Sequence, residues 1–377
     1  MSARDQVDAL LKGTGVVLDG PNPWDPQIKN PKVFNQILTQ GTLGAGESYV
    51  DGWWEVENLT ELVVRTARAH KLGALVTTGA FWYFLRGTLF NLQSRARAFE
   101  VGEHHYDIGN DLYSAMLDKS LAYSCGYWSG KPAARTLDEA QEAKLDLACR
   151  KLRLKKGDRV LDIGCGWGGF LFYAAEKYGV YGVGITVSRE QKKLAEQIIA
   201  ARGLADKIEI RLQDYRDTND GPYDAIISIE MFEHVGKKNY RAFFAQSRYL
   251  LTSDGLFLLQ SIICNKAEWH VDPWVEKYIF PNCFLPSPKF IGASIDGVFV
   301  LEDVHTFGAD YDKTLQTWFQ NFDRAWPQLK VKYGEHFYRM WKYYLLSVAG
   351  GFRARRLNVW QMVLSPQGIE GGYQSVR

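Results

Sequence analysis

From about residue 130 onward, short apolar runs alternate along the chain with longer amphipathic stretches. The short runs are typical of buried strands, and the longer stretches are typical of helices. Predicted strands cover residues 159–163, 180–186, 207–212, 223–229, 255–263, 298–304 and 357–364, and predicted helices cover 138–151, 169–177, 188–201, 237–250, 311–326 and 334–351. This order predicts an α/β fold with a seven-stranded, mainly parallel sheet that is covered by helices on both faces.

The beginning of the chain follows a different pattern. Segments 5–11, 30–38 and 59–70 predict helices, with prolines, glycines and tryptophans between them. We therefore expect a small, mostly helical N-terminal domain over residues 1–95 and a second domain over residues 96–377. With 46% hydrophobic residues, the chain has enough apolar material for one large core and a smaller one.

Two segments do not fit these patterns. Residues 265–297 exceed ordinary loop length, which predicts a lid over a substrate. The segment Leu72–Leu92 is apolar and aromatic, but Arg86 and three glycines interrupt it. This segment is too broken to predict a membrane span. Two interpretations of this segment stay open: a helix at the membrane surface and a helix packed between domains.

Charge and cysteine content exclude several classes of protein. Lysine and arginine total 45 against 43 acidic residues, so no strong field attracts nucleic acid. The five cysteines are irregularly spaced and form no C-x-x-C pair, which is typical of reduced thiols. The charged first residues lack the apolar core of a signal peptide, so we expect a cytoplasmic protein. His104 and His105 have no third ligand at a sensible spacing, so we expect no metal.

Residues 160–170 read VLDIGCGWGGF, in which a strand ends in a glycine-rich turn and a helix follows. Glycines at such a junction let the backbone approach a ligand closely. A dinucleotide site has the spacing G-x-G-x-x-G and an acid at the tip of the second strand. Here the acid, Asp162, precedes the glycines, and the second strand ends at Thr186 without a carboxylate. The motif resembles that of class I S-adenosylmethionine (SAM) methyltransferases, which have a Rossmann-like fold.

Further motifs resemble one family of these enzymes. They are HHYDIGNDLY (104–113), AYSCGYW (122–128), GITVSREQ (184–191), QDYRD (213–217), MFEHVG (231–236), DPWVEKYIFPN (272–282) and FGADYDKTLQTW (307–318). Together they are similar to cyclopropane-fatty-acyl-phospholipid synthases over essentially the whole chain, and mycolic acid cyclopropane synthases resemble it from about residue 95. The resemblance implies methylene transfer from SAM to the cis double bond of unsaturated phospholipid acyl chains. It also implies a homodimer that associates peripherally with the inner face of the cell membrane.

In this family a bound bicarbonate ion removes a proton from a carbocation. The resemblance implies that the ion is held by the residues at five positions: Cys125, Glu233, Gln260, Ile262 through its backbone, and Tyr311. Gln260 is a departure, because the family has a histidine there. Glutamine can donate and accept hydrogen bonds but cannot be protonated, so Glu233 becomes the main candidate for a proton relay.

The resemblance also implies a set of contacts to SAM. The predicted residues are Tyr123, Ser124, Asp162, Gly164, Cys165, Gly166, Thr186, Ser188, Gln191, Asp214, Tyr215 and Ile229. Because Gln260 differs from the family, a second activity is open, in which a methyl group is transferred to lipid or a small amine without ring closure. Branched-chain fatty acid and sphingolipid methylation are the lipid examples. A catalytically silent lipid-binding module is a third possibility, and the intact glycine motif argues against it.

Overall fold

The computed structural model describes residues 1–69, 108–266 and 271–377. Its described residues form two compact units. One unit is drawn from Met1–Asn91, Trp269–Pro281 and Tyr311–Leu357, and the other from Leu92–Glu268, Asn282–Asp310 and Asn358–Arg377. The predicted division at residues 95 and 96, the segment Leu72–Leu92 and the pair His104–His105 lie outside the described residues. Each of these stays a prediction.

The first unit is mainly helical. Its helices begin and end at Ala3–Leu11, Lys32–Gln40, Thr42–Val50, Leu59–Arg68 and Pro273–Tyr278, and most of Asp310–Arg353 belongs to it. Strands β1 (Gln27–Ile28) and β2 (Trp54–Glu55) pair as a small two-stranded antiparallel sheet. Ser2 and Asp5 form a capping box that starts the first helix. Gly46 allows close packing, because a Cβ there would lie 2.3 Å from the Trp274 ring.

The long helix Asp310–Arg353 contains Pro327 and a break at Gly334. The sequence predicts two helices here that end and begin at residues 326 and 334. Helical structure instead continues through Pro327 and is interrupted where Gly334 adopts φ +77°. Glycine adopts this left-handed region at no steric cost, which is why the break falls there.

The second unit contains the predicted sheet. The strands are β3 (Arg159–Ile163), β4 (Tyr181–Thr186), β5 (Ile208–Leu212), β6 (Tyr223–Ile229), β7 (Leu251–Cys264), β8 (Val300–Thr306) and β9 (Leu357–Ser365). Their order is β5-β4-β3-β6-β7-β9-β8. Strands β3 to β7 pair in parallel, and β8 pairs antiparallel with β9. The predicted class I seven-stranded fold is confirmed.

Helices cover this sheet, and the core lies on both of its faces. The helices are Asn110–Met116, Leu137–Lys151, Gly169–Tyr178, Arg189–Arg202, Tyr240–Tyr249 and Pro288–Ile295. Neighbouring residues of β3 alternate between the faces: Val160 packs in one apolar cluster with Phe170, and Leu161 packs in the other with Phe243. This alternation is the period of two that a strand imposes on its side chains.

The chain order creates a switch point between β3 and β6. From β3 the chain proceeds outward to β4 and β5, and it then returns to add β6 and β7 on the other side. Ligands in such sheets bind outside the carboxyl ends of the strands at this point. The predicted lid contains two short helices, Pro273–Tyr278 and Pro288–Ile295, each with proline in its first turn. They belong to different units, and their role as a lid stays a prediction.

Candidate active site

A cavity opens at the carboxyl ends of β3, β4 and β6. Every residue that was predicted to bind SAM lines it except Ser188; the lining members are Tyr123, Ser124, Asp162, Gly164, Cys165, Gly166, Thr186, Gln191, Asp214, Tyr215 and Ile229. Ser188 is buried and caps the following helix, where its Oγ accepts the N–H of Gln191 at 3.2 Å. The structure therefore brings most of the predicted set to one place.

The glycine-rich turn forms one wall of this cavity. Gly164 has φ +84°, and a Cβ at this position would lie 2.5 Å from Cγ of Met231. Gly166 has φ +56°, and no atom among the described residues lies within 4 Å of where its Cβ would be. The first glycine is required by packing, and the second leaves backbone open to a ligand.

A buried lysine lies beside the predicted methionine-binding residues. Lys144 is 1% exposed, and its Nζ donates to Ser124 Oγ at 3.0 Å. Burial lowers the pKa of Lys144, while the carboxylates of Asp118, Glu230 and Asp162 oppose this shift. Burial also raises the pKa of Asp162 to about 7, against the effect of Lys144. A lysine and a carboxyl group thus share the cavity wall.

Lys144 was not among the site residues predicted from the sequence. A weak signal existed, because Ala140, Lys144 and Ala148 lie four residues apart on one helix face whose other members are buried and small. A lysine at such a position is either extended to solvent or held by a specific partner. Here the partner is Ser124, and the described structure leaves almost none of the side chain exposed.

The opposite end of the cavity is polar and fixed by side-chain pairs. Thr186 Oγ1 donates to Gln191 Oε1 at 2.7 Å, which sets the orientation of that amide. Asp214 accepts from Arg216 through Nε at 2.8 Å and Nη2 at 2.6 Å. The ring of Tyr215 packs edge-on against Phe243, and burial raises the pKa of Tyr215 to about 12. These groups present oxygen and amide atoms that suit a nucleoside.

Cys125 lies in an irregular segment that side chains hold in place. Gln141 Nε2 donates to the carbonyl of Ser124 at 2.8 Å, and Asp310 accepts the backbone N–H of Trp128 at 2.7 Å. The backbone N–H of Cys125 itself donates to Glu230 Oε1 at 3.0 Å. The thiol is fully buried, with Sγ 3.4 Å from the carbonyl oxygen of Gly126. The segment therefore depends on distant residues for its shape.

Gln260 is connected to the same carboxylate. Its Nε2 donates to Glu230 Oε1 at 2.8 Å, and its Oε1 accepts from Gln361 Nε2 at 2.9 Å. Both glutamines are fully buried. Gln260 and Cys125, two of the predicted anion-binding residues, are thus joined through Glu230. Neither Glu230 nor Gln361 was among the predicted anion-binding or SAM-binding residues. The rule that ligands bind at the carboxyl ends of parallel strands does select Glu230, which directly follows β6.

Glu233 lies in a short 3₁₀ turn beyond the end of β6. Its Oε1 accepts the backbone N–H of Ile262 at 2.5 Å and the hydroxyl of Ser261 at 3.1 Å. Its Oε2 has no hydrogen-bond partner among the described residues. Burial, followed by the nearby charge of Glu230, raises the pKa of Glu233 to about 8. Glu233 is therefore mostly protonated at neutral pH.

The next residue, His234, lines the cofactor cavity. Burial lowers its pKa to about 4, so the imidazole is neutral at physiological pH. Tyr311 belongs to the helical unit, where its ring lies 4.5 Å from that of Phe352 and 5.9 Å from that of Trp318. The described residues include no group of three or more histidine, cysteine or acidic side chains that could hold a metal ion.

Comparison with known proteins places this arrangement in a family. The sequence profile described as mycolic acid cyclopropane synthetase matches residues 93–362. The chain belongs to this family. The predicted family membership and the predicted SAM-dependent methyltransferase activity are thereby confirmed.

Individual members of the family align over most of the chain. The cyclopropane-fatty-acyl-phospholipid synthase of Escherichia coli is 48% identical over 376 residues, which cover 98% of this chain and 94% of that protein. A probable fatty acid methyltransferase of Pseudomonas putida is 33% identical, over 91% of this chain and 88% of that one. The solved structure of a mycolic acid cyclopropane synthase complexed with SAH and CTAB has a TM-score of 0.65 and 32% identity, and covers 71% of this chain and 97% of its own.

Proposed function

We propose that this enzyme transfers a methylene group from SAM to the cis double bond of unsaturated phospholipid acyl chains and forms a cyclopropane ring. The observation that carries the proposal is the match to the Escherichia coli synthase, which extends over nearly the whole of both chains. The predicted SAM-binding residues support it, because all but one line a single cavity at the strand tips.

The reaction forms two carbon–carbon bonds. The π electrons of the alkene attack the methyl carbon of SAM, the carbon–sulfur bond breaks, and its electrons stay on sulfur. The lipid then carries a carbocation. Loss of a proton from the new methyl group releases the electrons of that C–H bond, which close the ring. Water must be excluded, since it would trap the cation as an alcohol, and a base must lie in an otherwise dry pocket.

The cavity residues divide the binding of SAM between them. We assign the amino-acid tail to the end with Lys144, Ser124 and Asp162, because a cation and a carboxyl group complement the carboxylate and the ammonium of methionine. We assign the ribose to the end with Thr186 and Gln191. The sulfonium carries a positive charge, and the acidic side chains at this wall suit it.

The residues present also fit a bicarbonate ion. Protonated Glu233 can donate from Oε2, which has no partner among the described residues. The amide of Gln260 has two N–H groups, and Glu230 accepts one of them. The resemblance adds the thiol of Cys125, the backbone of Ile262 and the hydroxyl of Tyr311. The bound ion would supply the base that accepts the proton from the cation.

The backbone N–H of Ile262 donates to Glu233 Oε1, so Ile262 acts on the anion site by orienting the Glu233 carboxyl group. Glu233 then holds the ion and relays the proton, because Gln260 cannot be protonated.

Access to the bilayer and assembly are part of the proposal. No helix in the described ranges 1–69, 108–266 and 271–377 is long and apolar enough to cross a membrane. We propose peripheral docking on the inner face of the cell membrane, with the N-terminal domain as the membrane or dimer contact, residues 265–297 as the lid and a homodimer as the assembly. Flotation with anionic and neutral liposomes should recover the protein with the vesicles. Protein left at the bottom of the gradient with both compositions would refute docking.

The reaction itself is tested by incubating the protein with SAM and liposomes of a cis-unsaturated phospholipid. Acyl chains should become heavier by one methylene group and show ring protons by NMR. Purging the buffer of carbon dioxide should reduce the rate, and added bicarbonate should restore it. Product that carries an extra methyl group without a ring would refute cyclopropanation and keep methyl transfer.

The second candidate is such a methyl transfer without ring closure. Gln260 favours it, because the family histidine is absent, and a fatty acid methyltransferase is among the similar proteins. Methylated, open-chain product formed at full rate without bicarbonate would establish this activity instead.

A further inference from the structure

Glu230 has a backbone conformation that side chains rarely adopt. It follows directly after β6, and its φ is +52°. A residue with a Cβ is strained in this left-handed region, whereas glycine is not. Strain of this kind persists where the surrounding structure requires a particular side chain, often at a functional site.

The contacts of Glu230 show what the side chain does. Its Oε1 accepts both the backbone N–H of Cys125 at 3.0 Å and Nε2 of Gln260 at 2.8 Å. Its own N–H donates to the carbonyl of Gln260 at 2.8 Å. It also lines the cofactor cavity. One carboxylate oxygen of Glu230 therefore links Cys125, 105 positions earlier in the chain, to Gln260, 30 positions later.

These bonds also decide which way the Gln260 amide faces. Gln361 donates Nε2 to Gln260 Oε1, so the oxygen of Gln260 is directed to Gln361 and its nitrogen to Glu230. An amide in the opposite orientation would place its NH₂ group against Nε2 of Gln361 and its oxygen against a carboxylate. Glu230 thus makes Gln260 a hydrogen-bond donor at the site, which is what an anion or a developing negative charge needs.

We propose that Glu230 is a positioning residue for the reaction, whose carboxylate holds the Cys125 backbone and the Gln260 amide as one hydrogen-bonded unit at the cavity wall. The inference rests on the proposed cyclopropanation, and it adds a residue outside the set that the family resemblance supplies. Glu230 acts through the backbone of Cys125 and the side chain of Gln260.

Two variants test separately whether the reaction depends on the positions of the Cys125 backbone and the Gln260 amide or on the charge of Glu230. Glu230→Gln keeps an oxygen that can accept both N–H groups, so the geometry is retained and the charge is lost. Glu230→Gly relieves the backbone strain and removes the side chain. The matched control is Arg153→Gly, which relaxes a second left-handed residue, with φ +54°, that does not line the cavity. Each protein is assayed with SAM and cis-unsaturated liposomes, and SAM affinity and melting temperature are measured alongside.

Glu230→Gly should lower kcat by about 10-fold or more, because displaced catalytic groups lose rate steeply. Its melting temperature should fall only slightly, because relief of the left-handed backbone strain offsets part of the cost of removing the acceptor of the Cys125 N–H and the Gln260 amide. Glu230→Gln should retain most of the rate and shift the basic limb of the pH–rate profile to lower pH. The charge of Glu230 raises the pKa of Glu233, so its removal lowers that pKa. Among the described residues, Lys144 also acts electrostatically on Glu230, and Tyr240 acts on Glu233.

A merely structural role would lower the rate and the melting temperature together and leave the pH limb unchanged, and that result would overturn the proposal. Full activity of Glu230→Gly would also overturn it. If the wild-type protein forms no cyclopropane under these conditions, the proposed function fails, whatever the variants do. If the wild type forms cyclopropane and the variants keep its rate and its pH–rate profile, only the proposed role of Glu230 is refuted.

Discussion

Glu233 Oε1 accepts the backbone N–H of Ile262 at 2.5 Å, while Glu233 Oε2 has no partner among the described residues. One oxygen is therefore anchored to β7 and the other is available to a ligand. Because the side chain is 3% exposed, its pKa is raised to about 8. A carboxyl group that is fixed, dry and protonated at neutral pH can hold an anion and accept or release a proton beside it.

Replacing Glu233 with glutamine tests this role. The Gln side chain can still accept from Ile262 and Ser261, but it cannot carry a proton between groups. We expect kcat to fall by about 100-fold or more, the range that general acid–base groups contribute, while SAM affinity changes little. Steady-state kinetics on liposomes and calorimetric titration with SAM measure the two quantities.

The matched control is Glu302→Gln on β8. The carboxylate of Glu302 accepts the hydroxyl of Ser365 at 2.5 Å and the backbone N–H of Ile369 at 2.9 Å, and this residue does not line the cofactor cavity. The rate of this variant should stay near that of the wild type. Equal losses in both variants would mean that neutralising any hydrogen-bonded glutamate impairs the enzyme, and the specific role of Glu233 would be rejected.

The same variant should change how stability depends on pH. The pKa of Glu233 is 4.5 in the unfolded chain and about 8 in the folded protein. Only the unfolded state therefore loses this proton as the pH rises from 4.5 towards 8, so wild-type stability is lost in that window. Glu233→Gln should gain stability relative to the wild type across it, on the order of a few kcal/mol. Urea unfolding at several pH values measures this, and a constant difference would contradict the raised pKa.

The fold could be predicted because its signals are local. The strand at 159–163, its glycines and the following helix occur in one continuous stretch, and the sheet follows from repetition of that pattern. Helix ends were less predictable. Pro327 suggests a stop, yet the break occurs at Gly334, because a proline's fixed φ is compatible with helix whereas glycine can leave it.

The site was predicted only where motifs supplied it. Lys144 and Glu230 are charged residues that usually lie at the surface, and their burial depends on partners far away in sequence. Lys144 meets Ser124 across 20 positions, and Glu230 meets Cys125 across 105. No periodicity or spacing encodes such a pair, so only the folded structure reveals it.

Replacing Lys144 with methionine tests its assignment to the amino-acid tail of SAM. The methionine keeps apolar length and loses the cation that holds Ser124 Oγ. SAM affinity should fall by about 10-fold, which corresponds to one charge-assisted hydrogen bond. Affinity for 5′-methylthioadenosine, which lacks the tail, should change little. Calorimetric titration with both ligands gives the ratio of the affinity for SAM to the affinity for 5′-methylthioadenosine.

Lys151→Met is the control for that experiment. This lysine is on the same helix and fully buried, but its Nζ lies 3.1 Å from Nδ1 of His305 and it does not line the cavity. Its substitution should lower stability and leave the ratio of the two affinities unchanged. If Lys144→Met weakens both ligands equally, the tail is bound elsewhere.

Gly164→Ala should damage the cofactor cavity specifically. Its φ is +84°, and the added Cβ would meet Met231 at 2.5 Å, so the turn must move. Gly203→Ala is matched in backbone strain, with φ +66°, but has no atom of the described structure within 4 Å of the new Cβ. Gly203→Ala should lose about 1–2 kcal/mol of stability from its left-handed backbone alone, and Gly164→Ala should lose more because of the contact with Met231. Only Gly164→Ala should lose SAM binding in titrations, and equal SAM affinity in the two variants would show that the turn does not contact the cofactor.

The pair Gln260 and Gln361 should behave as a coupled unit. Gln361 Nε2 donates to Gln260 Oε1 at 2.9 Å in a fully buried environment, so removing one partner leaves the other unsatisfied. Gln361→Leu should cost about 1–3 kcal/mol of folding stability for this reason. Gln260→Leu removes the bond to Glu230 as well and should cost more. The double variant, measured by urea unfolding, should cost less than the sum of the two by about 0.5–3 kcal/mol, since the shared bond is lost only once. Strict additivity would mean that the two amides do not interact, and Gln260 would then lack the fixed orientation that makes it a donor at the anion site.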